Sequence, residues 1–203
     1  MPAFIIPSEK IILASGSESR KIMLTEAGLK FSVEPSSVDE SIIKDQMNGR
    51  PFDQQVIALA CAKAKEVSEK FPGAITIGGD QMCIYDNEVF DKPGSREKAI
   101  ENLVKLSGTS HFQYSGICLY QSGQPLWEYC EYAEMVMHDL EESEIENYVD
   151  IENPIYAAGA YKFESLGCNL FKSVIGSSYT VRGMPLLPLL NKLRELDIID
   201  LNK

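Results

Sequence analysis

The sequence predicts an α/β fold: a mixed central sheet with helices on both sides. Three observations carry it. Short apolar runs, such as Ile11 to Ser15 and Ala74 to Gly78, have the length and composition of buried strands. Between them lie stretches with helical spacing, above all Phe52 to Phe71. Two further runs, 111–120 and 126–138, are joined by Gln121-Ser122-Gly123-Gln124 and read as an antiparallel pair. Strands alternating with helices, plus one antiparallel patch, make a mixed sheet.

The elements follow in order. Ile11 to Ser15 is the first strand. Apolar residues at Ile22, Met23, Leu24 and Ala27 suit a helix from about Ser19, stopped by Gly28. Phe31, Val33 and Pro35 begin a second strand, and the polar segment 36–51 reads as a loop punctuated by Gly49 and Pro51. The helix Phe52 to Phe71 stops at Pro72-Gly73, and a central strand runs from Ala74 to Gly78. Residues Met82 to Phe90 alternate around Asp86-Asn87, a hairpin tip. Pro93 precedes a helix from about Ser95 to Leu106, ended by Ser107-Gly108. After the antiparallel pair come a helix over about Glu141 to Ile151 and an amphipathic one from Pro185 to Leu196. No internal repeat or linker divides residues 1–203, so a single domain is expected.

Charge excludes some classes. The net charge is −11, no Lys or Arg falls between Lys105 and Lys162, and ten acidic residues lie from Glu128 to Glu152. A nucleic-acid partner calls for a basic face, so none is expected. No apolar run approaches the roughly 20 residues that span a bilayer, so no membrane partner is expected either. Met1 to Lys10 lacks the pattern of a signal peptide. Five cysteines with no C-x-x-C spacing argue against a disulfide framework or structural zinc, and point to mostly buried thiols in the cytoplasm.

The common phosphate and hydrolase fingerprints are missing: there is no P-loop, no G-x-G-x-x-G, no G-x-S-x-G and no H-E-x-x-H. With His111 and His138 as its two histidines, the chain is poorly equipped for a histidine metal site. Polar clusters remain. In Ser15-Gly16-Ser17-Glu18-Ser19-Arg20 a strand turns into a helix, where hydroxyls, backbone amides and an arginine fork could hold an anion. The plainer alternative is a serine N-cap with a surface arginine. Gly79-Asp80-Gln81 sets a carboxylate beyond a strand end, suited to a metal or a water; a turn with an aspartate cap is the alternative. Glu40 in Val38-Asp39-Glu40 could complete a hard oxygen site. Lys63, among the small residues of the long helix, and Lys92, before Pro93, could neutralise phosphate charge, or be solvated lysines. The segment Ala158 to Gly167 reads as a loop of undefined chemistry.

These segments together resemble the Maf family of nucleotide pyrophosphatases. Leu13-Ala14-Ser15-Gly16-Ser17 with Arg20 is similar to its L-A-S-x-S-P-x-R, and Asp39-Glu40 to its D-E element. Lys63-Ala64 is similar to its K-A helix, Gly78-Gly79-Asp80-Gln81 to G-[AS]-D-[TQ], and Lys92-Pro93 to G-K-P. Leu106-Ser107-Gly108 with His111 and Tyr114-Ser115-Gly116, then Ala158 to Tyr161, then Gly183 to Leu186, follow in the family's order. Glu18 stands where the family has proline, and Asp91 where it has glycine.

The resemblance implies a two-lobed fold around a deep cleft, a homodimer, and hydrolysis between the α- and β-phosphates of a nucleoside triphosphate with magnesium, manganese or cobalt. Asp80 matches the family's catalytic acid, with Lys63 and Arg20 beside it. Ser15, Ser17 and Lys92 would bind substrate, and Glu40 and Asp80 the metal. Ser19, Gln81 and Glu164 match three positions tied to substrate choice. Gln81 and Glu164 follow the branch similar to 7-methyl-GTP pyrophosphatases, and Ser19 follows neither branch. A carboxylate suits the positive charge of 7-methylguanine. Two other expectations stand beside this one: a dTTP or UTP pyrophosphatase of the same family, and a nucleotide-binding regulator of cell division with little catalysis.

Overall fold

A computed structural model of the protein describes residues 5–201. The signal-peptide reading of Met1 to Lys10 and the outer limits of the single domain thus fall partly outside the described residues. Among them, seven strands form one sheet in the order β2-β1-β3-β5-β6-β7, with β4 on β3. The strands are β1 (Ile11–Leu13), β2 (Ser32–Val33), β3 (Ile75–Tyr85), β4 (Glu88–Val89), β5 (Ser110–Gln121), β6 (Gln124–Met137) and β7 (Phe171–Ile175). The helices are α1 (Glu18–Glu26), α2 (Glu40–Gln46), α3 (Phe52–Lys70), α4 (Arg96–Leu106), α5 (Glu142–Glu152), α6 (Ser178–Val181) and α7 (Leu186–Glu195). β1 pairs in parallel with β2 and β3, whereas β3 with β4 and β6 with β7 run antiparallel. The sheet is mixed, as the sequence predicts.

The chain divides into two compact units. The first gathers Met1–Asp80, Ser115–Glu131 and Gly183–Lys203, and the second Gln81–Tyr114 and Tyr132–Arg182. In the first, α3 presents Val56, Leu59, Ala60, Ala64 and Val67, all buried, at the spacing of one helix face. That face lies close against glycines of two strands. A Cβ on Gly78 of β3 would stand 2.3 Å from the Ala60 carbonyl oxygen and 2.7 Å from the Ala64 Cβ. One on Gly116 of β5 would stand 2.9 Å from the Val56 carbonyl. In the second unit, α4, α5, β6 and the segment 158–171 enclose a core of Leu103, Leu106, Met135, Ile145, Tyr161 and neighbours.

Three expectations need correction. The segment 36–51 is not all loop. Asp39 accepts a hydrogen bond from the Ser41 amide at 3.0 Å and starts α2. No residue of that helix is buried, so it has no apolar stripe to betray it. Gly78-Gly79-Asp80-Gln81 does not end a strand: β3 runs unbroken through it, and Asp80 sits mid-strand. Neither glycine is among those with positive φ. Gly78 is there because α3 leaves no room for a side chain, not because the chain turns. The thiols are less buried than expected: Cys83 and Cys118 are buried, Cys61 and Cys130 partly so, and Cys168 exposed. β7 and α6 have no counterpart in the sequence reading. Both hairpin tips do: Asp86 and Asn87, and Ser122 and Gly123, all have positive φ.

No helix of the described residues is long and apolar enough to cross a membrane.

His111, buried in the second unit, lies 2.8 Å from the Tyr161 hydroxyl through Nε2, and Gln113 Nε2 donates to the same oxygen at 2.6 Å. Burial pushes the imidazole down to about 4, and its Nδ1 has no hydrogen-bond partner among the described residues. An imidazolium there would bury an unpaired N–H.

Two predictions follow from this packing. Gly78→Ala should cost about 3 kcal/mol or more, because backbone rather than a flexible side chain opposes the new methyl; urea unfolding measures it. For His111 the folded value lies below the ordinary 6.5, so between pH 6.5 and about 4 the unfolded chain binds the extra proton. Stability should fall as pH falls through that window, by up to about 3 kcal/mol. Unfolding of wild type and His111→Gln across it isolates the contribution, since His111→Gln should lose this part of the slope.

Candidate active site

The first unit brings six of the singled-out residues into one neighbourhood. β1 ends at Leu13 and α1 starts at Glu18, so Ser15 and Ser17 occupy the turn between them. Ser17 is the N-cap of α1, its oxygen accepting from the Arg20 amide at 3.4 Å. The plain serine-cap alternative is therefore true of Ser17. It is not true of Arg20, which is buried. Arg20 Nη1 donates to Ser15 Oγ at 3.0 Å, and Nε donates to the Gly183 carbonyl at 2.7 Å. Gly183, which the sequence offers only as one residue of a motif, thus orients the guanidinium. Its positive φ of 96° is the local signal, although glycine alone does not say where its carbonyl points.

Asp80 lies on β3 two residues beyond Gly78, so both face α3. Lys63 stands on α3 between Ala60 and Ala64, the residues that touch Gly78. Its ammonium therefore reaches Asp80 Oδ1 at 2.6 Å and Glu40 Oε1 at 2.8 Å. Lys63 and Asp80 are nearly buried, with side chains 13% and 12% exposed, whereas Glu40, the first residue of α2, is 45% exposed. Gly79 faces the other way. A Cβ there would come within 3.1 Å of Arg20 Nε, so the glycine leaves a seat for the guanidinium. Burial lowers the Arg20 guanidinium from its ordinary value, and the charges of Asp80 and Glu40 raise it again. Arginine starts so high that it stays protonated. Two cations and two carboxylates thus share the site, beside the serine hydroxyls of a strand-to-helix turn.

The other singled-out residues divide between the units. Ser19 is half-buried on α1 in the first unit. In the second, Gln81 donates through Nε2 to the carbonyls of Val181 at 2.7 Å and Thr180 at 3.3 Å. Lys92 is exposed between β4 and α4, and Glu164 is exposed between two 3-10 turns, Ala158–Ala160 and Leu166–Leu170.

Cationic forks, hydroxyls and a carboxylate held by a lysine are the equipment of an enzyme that handles phosphoryl groups: they bind charge and orient a water. The chain belongs to the Maf-like protein family, whose profile matches residues 10–196. A nucleoside triphosphate pyrophosphatase of Legionella pneumophila (strain Lens) is 40% identical over 194 residues, covering 96% of this chain and 97% of its own. A 7-methyl-GTP pyrophosphatase of Mesorhizobium japonicum is 41% identical over 197 residues, covering 95% and 99%. Among solved structures, a nucleoside-triphosphatase / dITP/XTP pyrophosphatase from Mycobacterium abscessus aligns with 92% of this chain and 97% of its own. Its identity is 16% and its TM-score 0.47, too distant a likeness to inform the chemistry.

The Lys63 contacts predict an asymmetry in stability. Lys63→Met strands a nearly buried carboxylate and should cost roughly 3–5 kcal/mol. Asp80→Asn keeps an oxygen that accepts from Lys63 and should cost less. Glu40→Gln, at an exposed group, should change stability by no more than about 1 kcal/mol. Urea unfolding of the three variants gives the order.

Proposed function

We propose that this protein is a nucleoside triphosphate pyrophosphatase. It hydrolyses the bond between the α- and β-phosphates, releasing a nucleoside monophosphate and pyrophosphate, and it prefers a modified nucleotide such as 7-methyl-GTP. The observation that carries the reaction is the set Lys63, Asp80 and Glu40 beside Arg20 and Ser15. The pyrophosphatase names of relatives about 40% identical over nearly the whole chain support it.

In this reading Arg20, Ser15 and Ser17 bind the phosphate oxygens. Asp80 takes a proton from a water, and that water's oxygen attacks the α-phosphorus. The bond from the α-phosphorus to the bridging oxygen breaks, and pyrophosphate leaves with the bond's electrons. Lys63 holds Asp80 in place and adds positive charge beside the phosphates, where the transition state spreads its negative charge. Asp80 and Glu40 are both within hydrogen-bond reach of one nitrogen, so their oxygens are close together. Among the described residues no group of three or more His, Cys, Asp and Glu is placed to hold a metal ion. Two hard carboxylates suit a magnesium, manganese or cobalt ion that draws its remaining ligands from phosphate and water. Such an ion, when bound, withdraws charge from the phosphate oxygens.

The preference for 7-methyl-GTP rests on Glu164, whose exposed carboxylate would attract the charged base, with Gln81 of the same unit as a second selecting position. The name of the Mesorhizobium relative is in keeping with it. On the same reading the protein works in the cytoplasm as a homodimer, as the odd cysteine count and the family likeness suggest.

The purified protein, with magnesium or manganese, is incubated with 7-methyl-GTP, GTP, dTTP, UTP, CTP and ATP, and monophosphate and pyrophosphate are both measured. The expected result is a kcat/KM for 7-methyl-GTP at least about tenfold above the rest, equivalent to ~1.4 kcal/mol. Chelation should abolish turnover, and Asp80→Asn should lower kcat by roughly 10²- to 10⁴-fold. A preference for dTTP or UTP would keep the reaction and discard the base. No pyrophosphate from any nucleotide, with tight binding retained, would make the regulator the better reading.

A further inference from the structure

Glu152, the last residue of α5, is in the wrong place for an acid. A helix C-terminus carries partial negative charge and favours a cation, and the last turn of α5 holds no basic residue. Yet the Glu152 side chain is only 12% exposed. Its partners account for it. Lys162 Nζ, 3.4 Å from Glu152 Oε1, also donates to the Glu152 backbone carbonyl at 2.8 Å. Lys162 thus supplies from a distant segment the cation that the helix end lacks, and satisfies one of its orphan carbonyls. The other carboxylate oxygen, Oε2, accepts from the Leu166 amide at 3.1 Å and so caps the 3-10 turn Leu166–Leu170.

These bonds grip the segment 162–166 at both ends, and further contacts close it. The Lys162 amide donates to the Tyr148 hydroxyl of α5 at 3.0 Å, and the Ser165 amide to the Lys162 carbonyl at 3.3 Å. Gly167 packs on the backbone of Lys162 so tightly that a Cβ would stand 2.3 Å from its oxygen. Between the gripped ends, midway and exposed, is Glu164. All of these residues lie in the second unit.

We infer that Glu152 is a positioning residue for substrate choice: it anchors the 162–166 loop to the end of α5 and so holds the Glu164 carboxylate where the nucleotide base is selected. The selecting part of this inference rests on the proposed role of Glu164. The anchoring part rests on the bonds alone. A fixed loop discriminates because its carboxylate is ordered before the base arrives, whereas a loose one must be ordered on binding.

The test compares Glu152→Ala, Glu152→Gln and Glu164→Gln in the full-length protein. Two quantities are read: the ratio of kcat/KM for 7-methyl-GTP to that for GTP, and hydrogen exchange across 162–167. Glu152→Ala should lower the ratio about as far as Glu164→Gln does, and speed exchange at the Leu166 amide. Combining the two changes should lower the ratio no further. Glu152→Gln, which keeps an acceptor for Leu166 but loses the charge for Lys162, should fall between, and it serves if Glu152→Ala does not fold. In the two Glu152 variants turnover of GTP should stay within about twofold, which a general loss of structure would not allow. An unchanged ratio in both Glu152 variants, where Glu164→Gln lowers it, overturns the inference. If Glu164→Gln leaves the ratio alone, the role of Glu164 falls and exchange decides the anchor: faster exchange in Glu152→Ala keeps it, and unchanged exchange removes it.

Discussion

The approach of α3 to the sheet at Gly78 and Gly116 sets where Lys63 and Asp80 meet in the first unit. Helix backbone is the nearest neighbour at both glycines, joined at Gly78 by the short side chains of Ala64 and Cys118, so little is there to absorb a shift. Ala60 and Ala64, the residues on Gly78, bracket Lys63 on the helix. Asp80 follows Gly78 by one step on the same face of β3. Once helix and strand touch at Gly78, the ammonium and the carboxylate must meet, and they do so at 2.6 Å. Close-packed interiors do not deform smoothly, so a contact of this kind fixes a geometry more firmly than the ion pair it positions. Glu40, coming from a helix with no buried residue, is the loosely held member of the set, in keeping with its exposure.

Arg20 depends on a different device. Its helix is set by the Ser17 cap, and its guanidinium is fixed at both edges, by Ser15 on its own turn and by the Gly183 carbonyl from far along the chain. Gly79 leaves the space it fills. Neighbouring glycines on one strand thus serve unlike ends: Gly78 admits a helix backbone, and Gly79 admits a cation.

Much of this was legible in the sequence. The long helix, both hairpin tips and the mixed sheet could be read from periodicity and turn residues, and the polar set from its ordered motifs. Other features were not, for identifiable reasons. Paired glycines look like a turn, because the sequence does not distinguish a glycine needed for positive φ from one needed for room. α2 has no apolar stripe, so its one local sign was the Asp39 cap. Residues that act by backbone carbonyl, such as Gly183, or by accepting from a distant amide, such as Glu152, have no type or spacing that marks them. Their partners lie 163 and 14 residues away, respectively. For Gln81 and Glu164 of the second unit the sequence supplied roles by resemblance, and their local surroundings are what the fold adds.

The polar set in the first unit also says something about its own purpose. An ion pair taken out of water recovers little net stability, and an apolar set of similar volume often holds a fold better. A nearly buried lysine and aspartate, with a buried arginine beside them, are therefore poor candidates for a structural staple. The first unit does not need one, since Ile11, Ile12, Leu13, Ile75 and Ile77 of β1 and β3 are fully buried next to the site. What the charges do provide is order without a ligand. Each cation has a carboxylate or a carbonyl to hold it, so the groups that would face a phosphate stand in place before one arrives. That arrangement lowers the reorganisation a charged substrate would otherwise demand, which is where electrostatic catalysis gains most. The cost in stability is intelligible if the site exists for its chemistry, and has no evident justification if it exists for the fold.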